Sequence, residues 1–186
     1  MGVGLRLAFM AAFALASACA GAQGLKAKVV PVKVTERVWY VQGKPGVASA
    51  ANEGYNSNAG FVVTDEGVVV IDALGTPALG EALLAAIRKV TAKPVKRVIV
   101  THYHADHFYG LGAFKKAGAD IWAHYEAGEY LVNGEAERRR QQRARDLFPW
   151  VTDEMPLVQA DRWLEGDATF TLGGKRFEIQ HFGPAH

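Results

Sequence analysis

Apolar positions along this chain follow two rhythms, one of short β-branched runs and one of helical spacing. Residues 29–41 are rich in valine and end in Val38-Trp39-Tyr40-Val41, which predicts one or two strands. Gly60-Phe61-Val62-Val63-Thr64 and Val68-Val69-Val70-Ile71 flank Asp65-Glu66-Gly67. Two β-branched runs around an Asp/Gly turn predict a hairpin, with Asp72 closing its second strand. Thr76-Pro77 then reads as a helix start, threonine capping and proline at the first helical position. Leu79, Leu83, Ile87 and Val90 give that helix one buried face. Residues 95–100 form a short apolar strand. A second helix is expected from near Tyr109 to just before Gly118, a strand at Ile121-Trp122-Ala123, and a longer helix over about 125–147. Residues 168–172 and 176–182, around Gly173-Gly174, read as another hairpin. Residues 43–58 lose all periodicity. A loop of this length is either functional or a passive connection. Helices alternating with strands, with hairpins among them, predict mixed sheets covered by helices, an α/β sandwich.

The 186 residues are about one domain, and 49% hydrophobic content suffices for a packed core. With 21 basic against 19 acidic residues, the net charge of +2 gives no reason to expect a nucleic acid partner. Arg138-Arg139-Arg140, followed by Arg143 and Arg145, is interleaved with Glu135, Glu137 and Asp146. It reads as the solvated face of a helix rather than a binding patch.

The first residues differ in kind. Arg6 precedes an apolar run from Leu7 to Ala16, and Ala20-Gly21-Ala22 before Gln23 fits a cleavage site. This predicts a secretory signal peptide over residues 1–22, a mature domain over 23–186, and a periplasmic or secreted location. An uncleaved N-terminal helix and a lipoprotein signal acylated at Cys19 are the other readings. The run falls short of the roughly 20 residues of a membrane span, so no transmembrane helix is expected. Cys19 is the chain's single cysteine, so a metal in the mature domain must be held by His, Asp or Glu.

Three of the six histidines fall in His102-Tyr103-His104-Ala105-Asp106-His107, directly after a predicted strand. Ligands of open α/β sheets gather beyond the carboxyl ends of strands. Residues two apart leaving a strand point the same way, so His102 and His104 can reach one ion. Asp106 and His107, further on, can face a second. Imidazole and carboxylate suit zinc, iron or manganese, and nothing hints at redox chemistry. The bland alternative is a solvated histidine-rich loop. His124 reads as a packing or helix-entry residue, and His181 as a structural or rim residue.

The run resembles the His-x-His-x-Asp-His signature of the metallo-β-lactamase superfamily. Asn58 through Asp72 is similar to the early hairpin of that fold, and Gly183-Pro184-Ala185-His186 to the segment carrying its next ligand. The resemblance implies a four-layer αββα sandwich, of which mainly the N-terminal half is present. It implies that His102, His104 and His186 hold a first zinc, and that Asp106 and His107 contribute to a second. Asp106 would be catalytic, orienting the bridging hydroxide. Asp72 would order the loop without touching metal. The family's bridging Asp or Cys and its final His lie beyond the segment matching His186. That implies a truncated chain, an incomplete second site, one firmly bound zinc and an exposed apolar sheet face.

The function implied is an exported hydrolase whose zinc-bound hydroxide attacks a small carbonyl-type substrate, such as a β-lactam or another ester or amide. A glyoxalase-II-like thioesterase and a non-catalytic or accessory metal-binding protein are the alternatives. A redox-active di-iron member would need further carboxylate ligands.

Overall fold

The computed structural model describes residues 24–183. The expected signal peptide, Cys19 and the expected ligand His186 lie outside them. Seven strands form one mixed sheet in chain order: β1 (Val32–Lys33), β2 (Val38–Val41), β3 (Ala59–Val63), β4 (Val68–Ile71), β5 (Val95–Ile99), β6 (Asp120–His124) and β7 (Arg162–Leu164). The first four pair antiparallel, as the hairpin chemistry of residues 64–67 requires. From β4 to β7 the pairing is parallel, each crossover running through helix. A separate antiparallel pair, β8 (Ala168–Leu172) and β9 (Lys175–Ile179), lies on the other face.

Helices cover the first face. α1 (Pro77–Val90) starts where Thr76 Oγ1 accepts from Leu79 N at 3.2 Å, and it buries Leu79, Leu83, Leu84 and Ile87. Each such leucine or isoleucine contributes about 1.5–3 kcal/mol by leaving water. α2 (Ala105–Phe108), a single turn within the histidine run, is unforeseen, and α3 (Leu111–Lys116) after it is the helix expected between Tyr109 and Gly118. α3 packs along α1 through Leu111 and Phe114.

The long helix expected over about 125–147 is two helices, α4 (Glu126–Val132) and α5 (Glu135–Asp146). Gly134 takes φ 82°, which ends one helix and starts the next at a new angle. β7 has no counterpart among the elements that the sequence pattern predicts.

Opposite the helices, Val69, Ile99, Trp122 and Leu164 are buried beneath Phe170, Leu172, Phe177 and Ile179 of the β8–β9 pair. The expectation of a bare apolar sheet face does not hold over β4–β7, because this two-stranded ribbon lies on it.

Three backbone bonds strap the turn after β4 to its surroundings. Asp72 N donates to Ile99 O (2.9 Å), Ala73 N to His107 O (2.8 Å), and Gly110 N to Leu74 O (3.1 Å). Gly80 of α1 and Gly110 meet backbone to backbone, and a Cβ on Gly110 would sit inside the Ala73 carbonyl oxygen. Substituting Gly110→Ala should therefore destabilise the fold by about 3 kcal/mol or more, since rigid backbone has to move. Urea unfolding of the purified variant measures this; a loss below about 0.5 kcal/mol would show that the strap is loose.

Candidate metal centre

The parallel strands β4, β5 and β6 end on the same side of the sheet, and this brings the residues at their carboxyl ends together. Asp72 comes directly after β4, the histidine run begins shortly after β5, and His124 ends β6. Asp72 and Leu74 have φ of 62° and 67°. Left-handed backbone is tolerated by aspartate and strained for leucine, and it turns the Asp72 carboxylate toward the loop.

That carboxylate takes three donors. Thr101 N donates to Oδ1 at 2.8 Å, and Thr101 Oγ1 to Oδ2 at 2.8 Å. His107 Nδ1 lies 2.8 Å from Oδ2. A carboxylate in this setting only accepts, so the Thr101 hydroxyl proton and the His107 Nδ1 proton both point at Asp72. Thr101 Oγ1 is then an acceptor for His102 Nδ1, 2.9 Å away. One buried carboxylate thus fixes two tautomers, leaving Nε2 of both His102 and His107 with a lone pair to bind metal.

The rings converge. Ring centroids of His102 and His107 are 4.1 Å apart, and those of His102 and His104 are 4.8 Å apart. His107 Nε2 is 3.7 Å from Asp106 Oδ2. Two atoms that each sit about 2.0–2.2 Å from one zinc ion at a tetrahedral angle are separated by roughly 3.3–3.6 Å. The His107–Asp106 pair is close to that spacing, and with the adjacent rings of His102 and His104 the donor set is of the kind a divalent ion takes. Burial lowers the His107 pKa, but the bond to Asp72 and the charges of Asp72 and Asp106 outweigh it and hold it above the usual histidine value. A metal taking Nε2 displaces a proton there, and the same carboxylates that raise the pKa favour the incoming cation.

The unpatterned loop over residues 43–58 is part of this centre. Asn56 Nδ2 donates to Asp106 Oδ2 at 3.0 Å, and the Ser57 hydroxyl bonds the Asp106 carbonyl oxygen. Sequence reasoning missed Asn56, Ser57 and Thr101 as site residues; the loop's length was the signal for the first two. His102 and His104 open onto a cleft of about 560 Å³, whose wall continues through Tyr103, Tyr130 and His124. Tyr103 and Tyr130 stack at 4.6 Å. Across that cleft the rings of His124 and His181 lie face to face, 3.7 Å between centroids and 4° between planes.

Residues 52–186 match the sequence profile of the metallo-beta-lactamase superfamily. A stretch of 118 residues is 26% identical to a metal-dependent hydrolase of Pyrococcus furiosus, covering 62% of this chain and 50% of that protein. A stretch of 54 residues is 37% identical to the linear primary-alkylsulfatase of a Pseudomonas species, covering 29% of this chain and 10% of that enzyme. The chain thus spans half or less of the length of these curated relatives. A metallo-beta-lactamase from Pontibacter korlensis superposes with a TM-score of 0.59 at 21% identity, over 80% of this chain and 58% of that one. A class B3 di-zinc metallo-beta-lactamase from an Alaskan soil metagenome does so with 0.60 at 18% identity, over 83% and 52%. At these identities the structural likeness speaks for the fold.

Replacing Asp72 by Asn keeps the shape but allows a donor where two protons now point. The Asp72→Asn protein should fold and bind zinc about 10–100-fold more weakly, the usual cost of removing a carboxylate behind a ligating histidine. Competition with a chromophoric chelator reads the affinity. Unchanged affinity would mean that Asp72 does not orient the ligands.

Proposed function

The chain belongs to the metallo-beta-lactamase superfamily, and on that premise we propose that it is an exported, zinc-dependent hydrolase of small carbonyl-type substrates such as a β-lactam or another ester or amide. The observation that carries this reading is the clustering of the His102, His104 and His107 rings, with Asp106 beside His107 and Asp72 holding His107 and Thr101, at the edge of the cleft that His102 and His104 line. His186 is proposed as a further ligand on the resemblance alone.

A zinc ion bound here supplies a Lewis acid and lowers the pKa of its water to about 7. The chain's own residues do the rest. His102 and His107 present Nε2 because their Nδ1 protons are held by Thr101 and Asp72. Asp106, oriented by Asn56, offers a carboxylate that can hold or move a proton beside the attacking water. Tyr103 and Tyr130 give one wall of the cleft an aromatic surface for the apolar part of a substrate.

Sulfate-ester hydrolysis is the second reading, favoured by the likeness to an alkylsulfatase. Among the described residues the cleft lining holds Glu126, Glu129 and Glu135 and no lysine or arginine, a poor surround for a sulfate and its charge.

With a panel of a chromogenic β-lactam, a carboxylic ester, a thioester and an alkyl sulfate, the zinc-loaded protein should hydrolyse the β-lactam or the ester. His102→Ala should lower kcat/KM on the order of 10³-fold, since the metal contributes several kcal/mol and each 1.36 kcal/mol is tenfold. Hydrolysis of the sulfate alone would favour the second reading. Activity that survives both chelation and His102→Ala would overturn the metal mechanism.

Export rests on the apolar run and Ala20-Gly21-Ala22. Mass spectrometry of protein from the native host should find a mature N-terminus near Gln23. Full-length protein that begins at Met1 in the cytoplasmic fraction would rule export out.

A further inference from the structure

Two histidines that the proposed hydrolytic centre does not use meet on the cleft wall. His124 is the last residue of β6, its backbone paired with Leu164 of β7, and the Tyr125 N–H bonds the Leu164 carbonyl at 2.9 Å. Glu126 stands at the first turn of α4. His181 lies just past β9, and its backbone N–H is held by Asp167 Oδ1 at 2.7 Å. The sheet and the β8–β9 ribbon therefore each contribute a ring, and the two rings lie parallel in contact.

The polar atoms of this group are poorly served by hydrogen bonds. His124 Nε2 is buried with no hydrogen-bond partner among the described residues. A buried ring nitrogen in that position costs free energy unless something binds it. His124 Nδ1 is 3.5 Å from Glu126 Oε2, longer than an ordinary N–H···O bond. One donor atom each from His124, Glu126 and His181 lies within 4.8 Å of the others. Glu126 and His181 are exposed, and the His181 ring has to swing out of its stack with His124 to ligate, because a metal lies in the plane of each imidazole that binds it.

We propose that His124, Glu126 and His181 form a second, separate site for a zinc-like divalent cation at the mouth of the cleft. Two imidazoles and one carboxylate are a ligand set that zinc uses with a fourth position left open. That position would face the same cleft as His102 and His104. The ion would tie the end of β6 to the segment after β9, closing the two layers at the rim. It would also place positive charge on a wall where Glu126, Glu129 and Glu135 otherwise set a negative field. The site uses none of the proposed hydrolytic ligands, so it stands or falls independently of the hydrolase function.

Zinc retained after exhaustive dialysis of the full chain, measured by emission spectroscopy, tests this. The H102A/H104A protein should still retain one zinc per chain. Adding E126Q to it should weaken that ion at least about tenfold, and adding H124Q/H181Q should remove it. E126Q changes an exposed side chain, so in the wild-type background it keeps the fold and should weaken one equivalent by the same factor. Zinc retention that ignores E126Q and H124Q/H181Q in both backgrounds overturns the proposal. So does an H102A/H104A protein that is folded by circular dichroism yet retains no zinc.

Discussion

The Asp72 carboxylate is the constraint on which the proposed centre depends. It sits at the end of β4 in left-handed backbone, is buried, and accepts from Thr101 twice and from His107 once. An ionised carboxylate in that position is tolerable only because three donors satisfy it. Those donors in turn fix the loop after β5 and the protons of two imidazoles. A loop of three histidines has many tautomeric and rotameric states in water; tied to Asp72, this one has few. Hydrogen bonds that hold the loop in this way lower the entropy that metal binding must remove.

The sheet explains why these particular residues meet. Parallel pairing of β4, β5 and β6 brings three carboxyl ends side by side, and each ends in chemistry: Asp72, the histidine run, and His124. The antiparallel half of the sheet adds the loop over residues 43–58, which reaches back to place Asn56 on Asp106. The close approach of Gly80 and Gly110 lets α1 and the start of α3 pack without pushing the loop outward. The fold thus supplies the positions, and short polar contacts supply the orientations.

Much of this was legible in the residues, for physical reasons that differ by element. The β3–β4 hairpin was legible because its turn and its β-branched flanks are local signals. The start of α1 was legible because capping by Thr76 needs only the next three residues. The split between α4 and α5 was missed because helix-forming charged residues run on both sides of Gly134, and one glycine does not by itself announce a left-handed turn. The short strand β7 was missed because three residues carry no period, and it exists through pairing with β6. Asn56 and the His124–His181 stack join segments far apart in the chain, so no local pattern could place them. The histidine run stood out since its ligands are close in sequence as well as in space.

The central claim is that Asp72 presents Nε2 of His102 and His107 to the metal, and histidine ring nitrogens can be observed directly. Long-range ¹H–¹⁵N correlation spectra of the zinc-loaded, ¹⁵N-labelled protein distinguish a protonated ring nitrogen from a metal-bound one. For both residues the account predicts a protonated Nδ1 and a metal-bound Nε2, with the His107 Nδ1 proton protected by its bond to the Asp72 carboxylate. Metal on Nδ1 of either residue would contradict it, because the Asp72–Thr101 network would then not be what orients the site.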